Sequence, residues 1–406
     1  MLEGTSTSKK LIALVSITLL TILLYSTTNL STTQHFHLLV IEGGVRYVHE
    51  TDKISLGTIQ VDSESTKDKL VKTSFPVPSQ DPTRIIYQPT PNDQQAQAFN
   101  RMFKDQMDFS QCNYSNCVYT FSHDYTDIVE ADVVLIEHRS TIVSKVYGLH
   151  LKSQIWIVYS HEPPVLYPWK KVFNHFNGTM TYTRDSTVYW PWGEMKPKVA
   201  DKQSNPNIDF AQGKTKGAYA YVSHCTSAGY NRLETMKELG QYIEVDIFGG
   251  CTHNLPCHRG DIKCESSLHS KYKFFLAFEN SLCKDYITEK FWKRLHSDGH
   301  FVPVVVGGFS IDDYTRVAPP DSFIHAYNFS SIKELGKYLQ HLMQDDAAYN
   351  RYHEWRKHYM TTDNVLPQTS VCNLCELANM PSILESHQEA LATNWNSKSN
   401  CKKLKP

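Results

Sequence analysis

The sequence predicts an α/β protein of two doubly wound lobes on an N-terminal anchor and stem, and three observations predict it. The chain has 406 residues, enough for two domains of ordinary size. Both halves carry short apolar runs without clean alternation, spaced by stretches long enough for helices. That is the pattern of parallel strands covered on both faces. A segment at 196–216, rich in Lys, Gln, Asn and Pro, separates the halves as a linker. The net charge of -1 supplies no basic field for nucleic acid or an acidic membrane surface. Ten cysteines and sequons at Asn29, Asn113, Asn177 and Asn328 fit an oxidising, secretory compartment.

Lys9 and Lys10 precede an apolar run over 11–25, an orientation signal for a cytoplasmic N-terminus and a lumenal remainder. At helical rise the run reaches roughly 22 Å, short of a hydrocarbon core of about 30 Å. Residues 25–30 extend it, and early secretory membranes are thinner. Residues 1–10 therefore read as a cytoplasmic tail and 11–30 as a signal-anchor transmembrane helix. A cleaved signal peptide is the alternative. Residues 31–82, rich in Ser, Thr, Lys and Asp, read as a stem. Its most polar part is 62–72, and 36–40 is a candidate short strand.

The first lobe, 83–200, is expected to hold strands at 84–87, 132–136 and 154–159 and a helix at 94–104. Such sheets bind ligands at the carboxyl ends of their strands. Two residues stand there: His138 in Glu137-His138-Arg139, and Glu162 in Ser160-His161-Glu162-Pro163-Pro164. The two prolines fix the turn, making Glu162 a placed carboxylate. A loop glutamate satisfied locally is the plainer alternative.

The second lobe, 201–370, is expected to hold strands at 219–222, 245–249 and 301–308 and a helix at 231–239. Arg232 at that helix start would face an anion at the strand ends; a surface arginine is the plainer reading. Gly213-Lys214-Thr215 imitates the end of a Walker A loop, but no strand precedes it and the partner glycine position is Ile208. A P-loop is rejected. The organising stretch runs from Tyr272 to Lys290: a Phe-rich strand, a polar turn opening with Asp285 and Thr288, then a helix. Free N–H groups at a helix start favour an anion, phosphate above all. Lys290 in the first turn opposes the helix dipole. A bound anion explains it better than helix stability, so alanine there is expected to weaken anion binding; were the role only structural, alanine would if anything stabilise the helix.

Residues 371–406 form a C-terminal segment containing Cys372 and Cys375 as Cys-x-x-Cys. Cys251, Cys257 and Cys264 near His253 and His258 lack regular zinc spacing, so disulfides are expected.

The stretch from Phe274 to Lys290 resembles the signature of the alpha-1,3-fucosyltransferase family: Phe-x-Leu-x-Phe-Glu-Asn-Ser, then Asp-Tyr-x-Thr-Glu-Lys. Every fixed position matches. Residues 155–164 are similar to the family's Trp-apolar-Glu-Ser-Pro segment, with Pro163 replacing Ser. Residues 176–186 resemble its Tyr-Arg-Arg-Asp-Ser stretch, with Thr183 for the first Arg, and Trp190-Pro191-Trp192-Gly193 its Val-Pro-Tyr-Gly ending. Residues 222–232 resemble its Val-Ser-Asn, Cys, Asn-x-x-Arg segment, with His224 for Asn. Cys283 and the Cys-x-x-Cys ending look like an invertebrate-type member. The resemblance spans about 84–375 and implies the GT-B arrangement, two Rossmann-like lobes facing a cleft.

It further implies an inverting transfer of L-fucose from GDP-fucose to the 3-hydroxyl of a GlcNAc residue in a glycoprotein glycan, on the core or an antenna. Glu162 would take the hydroxyl proton, and His138 would contact the acceptor. Arg232, Tyr286, Lys290 and the helix N-terminus would stabilise the departing GDP, while Asn280 and Glu289 hold the fucose. Lys290→Ala is then expected to weaken donor binding and slow transfer. The resemblance also ties Cys372 and Cys375 to Cys112 and Cys117, and pairs Cys225 with Cys251. Cys257–Cys264 is then a guess, and Cys283 and Cys401 are left over. No Asp-x-Asp occurs, so no metal is expected for the chemistry, with stimulation by divalent ions allowed. The implied location is the Golgi membrane, as a single-pass type II protein. The alternatives are a lectin-like binder without turnover and a GT-B transferase using another nucleotide-sugar.

Overall fold

Strands that lack alternation become sheets buried on both faces, and the structure contains two of them. The computed structural model describes residues 36–41, 44–49, 82–92, 94–138, 143–166, 175–198, 208–258, 261–296, 300–362, 366–386 and 400–403. They belong to a unit ending at Pro82 and a compact unit beginning at Thr83. In the first, β1 (Phe36–Ile41) pairs antiparallel with β2 (Gly44–His49), so the candidate strand at 36–40 forms. The anchor at 11–30 and the polar stretch at 62–72 lie outside the described residues. Among the described residues no helix is long and apolar enough to cross a membrane.

The first sheet of the compact unit comprises β3 (Arg84–Pro89), β4 (Cys117–Ser122), β5 (Val133–Glu137), β6 (Ile155–Ser160), β7 (Gly178–Thr181) and β8 (Val188–Tyr189). All pair parallel, in the order β4-β3-β5-β6-β7-β8. The strand period of two sends alternate residues to opposite cores. Val133, Leu135, Ile155 and Ile157 enter one; Val134, Ile136, Trp156 and Val158 enter the other. Each such buried side chain contributes about 2 kcal/mol.

A two-stranded antiparallel ribbon, β9 (Glu194–Pro197) with β15 (Tyr359–Thr362), occupies the start of the expected linker. The second sheet holds β10 (Lys216–Tyr221), β11 (Val245–Phe248), β12 (Tyr272–Phe278), β13 (Val302–Val306) and β14 (Ile324–His325) in the parallel order β11-β10-β12-β13-β14. Phe274, Leu276 and Phe278 face one core; Phe275 and Ala277 face the other, with Phe291, Trp292 and Leu295 of the helix Glu289–His296.

Both sheets reverse direction once, between β3 and β5 and between β10 and β12. Those switch points open crevices outside the carboxyl ends of the strands. The last described helix, Gln368–Asn379, leaves the second lobe and packs Val371, Leu374 and Leu377 onto the first lobe's core. Disulfides Cys112–Cys372 and Cys117–Cys375 fasten it there. Cys225–Cys251 and Cys257–Cys264 are also bonded. Cys283 and Cys401, expected to be left over, form the fifth disulfide.

Candidate active site in the interlobe cleft

Glu162 stands two residues beyond β6. The Ser160 hydroxyl accepts from the Glu162 N–H at 3.0 Å and donates to its carbonyl at 3.1 Å. Pro163 and Pro164 are buried behind it, so the backbone of the carboxylate is fixed from both sides. His161 stacks on Trp190 and Trp192 with ring centroids 3.4 and 4.3 Å away. Burial holds its pKa down at about 3, so the ring is neutral beside Glu162. His138 directly follows the neighbouring β5, its N–H donating to the Tyr159 carbonyl at 3.2 Å. Both first-lobe candidates therefore lie at carboxyl ends of adjacent strands.

From the second lobe, Tyr286 reaches across. Its hydroxyl donates to Glu162 Oε2 at 3.3 Å, and its ring lies 5.0 Å from that of Tyr182. Burial, then the neighbouring Glu279 and Glu162, lift the phenol well above its usual range, so it remains a donor. The loop around it is tied to the first lobe twice more. Lys284 pairs with Asp185 at 3.2 Å, and the Asp285 carboxylate accepts from the Arg184 N–H at 3.2 Å. Asp285 stands in the polar turn ahead of the helix, where the sequence puts it. It adopts φ +59° and donates its own N–H to Asp313, and the helix begins at Glu289.

Lys290 departs from expectation in its partners. Its ammonium lies 3.2 Å from Glu279 and 3.2 Å from Glu289. Desolvation disfavours the charge, but the two carboxylates outweigh it and hold the Lys290 pKa above its usual value. The opposition to the helix dipole is thus compensated locally, and the inference from that opposition to a bound anion does not stand alone. Glu279, a fixed position of the signature, is the residue to which sequence reasoning gave no role. It is fully buried and accepts from the Thr288 N–H at 2.8 Å and the Thr288 hydroxyl at 2.9 Å. Burial raises its pKa, with Lys290 pulling it back in part. The available signal was an acid placed directly after a strand buried at all seven positions. Glu289 is half exposed on the helix.

Arg232 is buried at the first turn of the helix Arg232–Leu239, which Asn231 caps. It donates to the carbonyls of Phe278 at 3.2 Å and His224 at 2.5 Å, bracing the loops after β10 and β12. Among the described residues it has no carboxylate partner, and its Nε has no hydrogen bond. The Asn280 carboxamide oxygen and the Ser281 hydroxyl are likewise buried without a partner among the described residues. The buried Arg232 cation favours an anion, whereas the Asn280 oxygen needs a hydrogen-bond donor, so a ligand or solvent carrying both kinds of group would complete them. The structure thus sets Arg232 and Asn280 together at the β10–β12 crevice and Tyr286 with Glu162, while Lys290 pairs with both Glu279 and Glu289.

Lys214 of the Walker-like sequence lies at the opposite end of β10 and donates to the Tyr272 carbonyl. Of the sequons, Asn113 and Asn328 are exposed. Asn177 is partly buried and accepts the Trp156 N–H at 2.7 Å; Asn29 lies outside the described residues.

Two family models match the chain: "Fucosyltransferase, N-terminal" over residues 88–193 and "Glycosyltransferase family 10 (fucosyltransferase) C-term" over residues 211–394. Similar curated proteins include alpha-(1,3)-fucosyltransferase C of Drosophila melanogaster, 38% identical over 51% of this chain and 50% of that one. Alpha-(1,3)-fucosyltransferase fut-1 of Caenorhabditis elegans is 32% identical over 66% and 60%. Glycoprotein 3-alpha-L-fucosyltransferase A of Drosophila melanogaster is 38% identical over 61% and 48%. The chain spans about half to three-fifths of the length of these relatives.

Proposed function

We propose, from the premise that this chain belongs to glycosyltransferase family 10, the fucosyltransferases, as an invertebrate-type member, that it is an inverting GDP-fucose-dependent alpha-1,3-fucosyltransferase acting on a GlcNAc residue of glycoprotein glycans. One observation carries the reading: the hydrogen bond from Tyr286 to Glu162. It joins a fixed carboxylate of one lobe to the signature loop of the other, so that a proton acceptor and a donor crevice share one cleft.

The chemistry follows. The acceptor's 3-hydroxyl attacks C1 of fucose from the face opposite the diphosphate, and Glu162 takes the proton as the new C–O bond forms. The old C1–O bond breaks, and its electron pair leaves on the β-phosphate of GDP. Arg232, buried without a carboxylate among the described residues, offsets that charge. The helix start at Glu289 and the Lys290 ammonium add to it, the latter shared with Glu279 and Glu289. Asn280 and Glu289 orient the sugar, and His138 contacts the acceptor. Residues 11–30 anchor the protein in the Golgi membrane as a single-pass type II protein. Five disulfides support a lumenal catalytic part.

The test incubates the full chain with GDP-fucose and two acceptors, a glycopeptide carrying core GlcNAc and a free antenna oligosaccharide, and reads products by mass. Gain of one deoxyhexose, linked at O3, is expected. Glycan binding without turnover, or transfer only from a UDP-sugar, overturns the reading.

A further inference from the structure

The C-terminal residues 400–403 return to the donor-side loops and touch all three of them. Cys401 is bonded to Cys283 inside the signature loop. On either side of that bond the Lys284 N–H donates to the Asn400 carbonyl at 2.8 Å, and the Lys402 N–H donates to the Leu282 carbonyl at 2.7 Å. The tail therefore lies antiparallel along the loop after β12. The Lys402 ammonium donates to the Phe309 carbonyl in the loop after β13 and sits 4.8 Å from the Phe309 ring centroid. The Lys402 carbonyl lies against Gly229 in the loop after β10. Gly229 holds φ +97°, and a Cβ there would collide with that oxygen. On its other edge the same β10 loop pairs with the signature, Ala228 N–H donating to Asn280 at 2.7 Å.

We infer that Asn400, Cys401 and Lys402 form a positioning strap that holds the three donor-binding loops in register, so that the tail sets affinity for the nucleotide-sugar without touching the reacting atoms. The inference rests on the donor reading of the β10–β12 crevice. Its physical basis is preorganisation. Loops held by a covalent bond and backbone pairing have already lost the freedom that a ligand would otherwise have to remove. Cys283 is fully buried in the core that also contains Tyr286, so the strap is anchored in packed structure. Asn280 and Arg232, on the far side of the loop pair, depend on that register through the Phe278 carbonyl and the Ala228–Asn280 bond.

The test compares the unaltered full chain with Cys283→Ser/Cys401→Ser, Lys402→Ala and Lys402→Arg. For each, the KM for GDP-fucose, the KM for acceptor, kcat, the Kd for GDP and the amide hydrogen exchange of Ala228 and Lys284 are measured. For the double serine variant and Lys402→Ala we expect the donor KM and GDP Kd to rise roughly tenfold. The acceptor KM should stay within about twofold, exchange at both amides should quicken, and Lys402→Arg should retain unaltered values. Unchanged donor KM and unchanged exchange in both weakened variants overturn the strap. If the double variant fails to fold, the Lys402 pair decides alone. If the unaltered chain neither transfers fucose nor binds GDP, the donor reading falls. The exchange measurement still judges the strap: quickened amides support it and unchanged ones sink it.

Discussion

The hydroxyl of Tyr286 donates to the carboxylate of Glu162 at 3.3 Å, although 124 residues separate them in sequence. Neither residue is exposed on a free surface: Tyr286 is buried, and Glu162 is backed by two buried prolines. A phenol held protonated by its surroundings remains a donor and aims the carboxylate it bonds. The contact therefore both orients the Glu162 carboxylate and joins the two lobes.

Replacing Glu162 by Gln should lower kcat on the order of a hundredfold or more and leave the Kd for GDP nearly unchanged. Tyr286→Phe keeps the ring packed against Tyr182 and removes only the hydroxyl. It should lower kcat by roughly tenfold, the worth of one hydrogen bond to a charged group. Steady-state kinetics with calorimetric GDP titration separates the two effects. A Glu162→Gln enzyme keeping more than about a third of its turnover removes Glu162 from the mechanism.

Lys290→Ala is now expected to melt lower, the reverse of what helix propensity alone suggests. It leaves Glu279 fully buried with Thr288 as its remaining partner. Breaking a buried pair from one side costs about 3 kcal/mol. The double variant with Glu279→Gln should recover part of that loss, because no uncompensated charge is left behind. Thermal melting of the four proteins in the cycle checks both statements. A single variant that melts with the unaltered chain rules out the ion pair as a stabilising element.

Chelation by EDTA should leave most transfer activity in place, because the chain lacks the Asp-x-Asp handle and places Arg232 and Lys290 near the crevice. Initial rates before and after dialysis against chelator measure this. Complete loss restored by a divalent ion contradicts the assignment of charge offset to side chains.

Acid should destabilise the fold in a window to which His269 and His325 contribute, as do the buried His161 and His353. Burial lowers the His269 and His325 imidazoles from 6.5 to about 4. Between those values the unfolded chain binds more protons than the folded one, so stability is full above the unfolded pKa and is lost as pH falls toward the folded pKa. Each buried ring should remove about 2 kcal/mol between pH 7 and pH 5. His269→Phe should flatten the slope of Tm against pH over that range; an unchanged slope excludes His269 as a contributor.

The long apolar runs were legible because each is two-sided and local: β5, β6, β10, β12 and β13 all fall where consecutive apolar residues stand. The strands β7 and β8, Gly178–Thr181 and Val188–Tyr189, are short, and β7 is rich in Thr, so no periodicity announces them. The β9–β15 ribbon pairs Glu194 with Thr362, a contact that no local window contains. The positions of Glu162 and Arg232 at strand and helix ends could be read from turn chemistry. The partner of Lys290 could not, because a buried acid and its counter-ion lie eleven positions apart and the intervening turn is irregular. The Cys283–Cys401 bond was unreadable for another reason: cysteine spacing does not determine connectivity.

The fastening of Gln368–Asn379 to the first lobe has a consequence for how the protein is made. Cys112 and Cys117 reach their partners only after 260 and 258 further residues have been synthesised. The first lobe also lacks part of its core until Val371, Leu374 and Leu377 arrive. Vectorial synthesis therefore cannot finish the lobe it starts with until the helix Gln368–Asn379 has been made. A nascent chain arrested before residue 366 should expose Cys112 and Cys117 to alkylation in pulse-chase, and a released chain should protect them. Completion of the first lobe thus depends on residues that follow the second lobe in the chain.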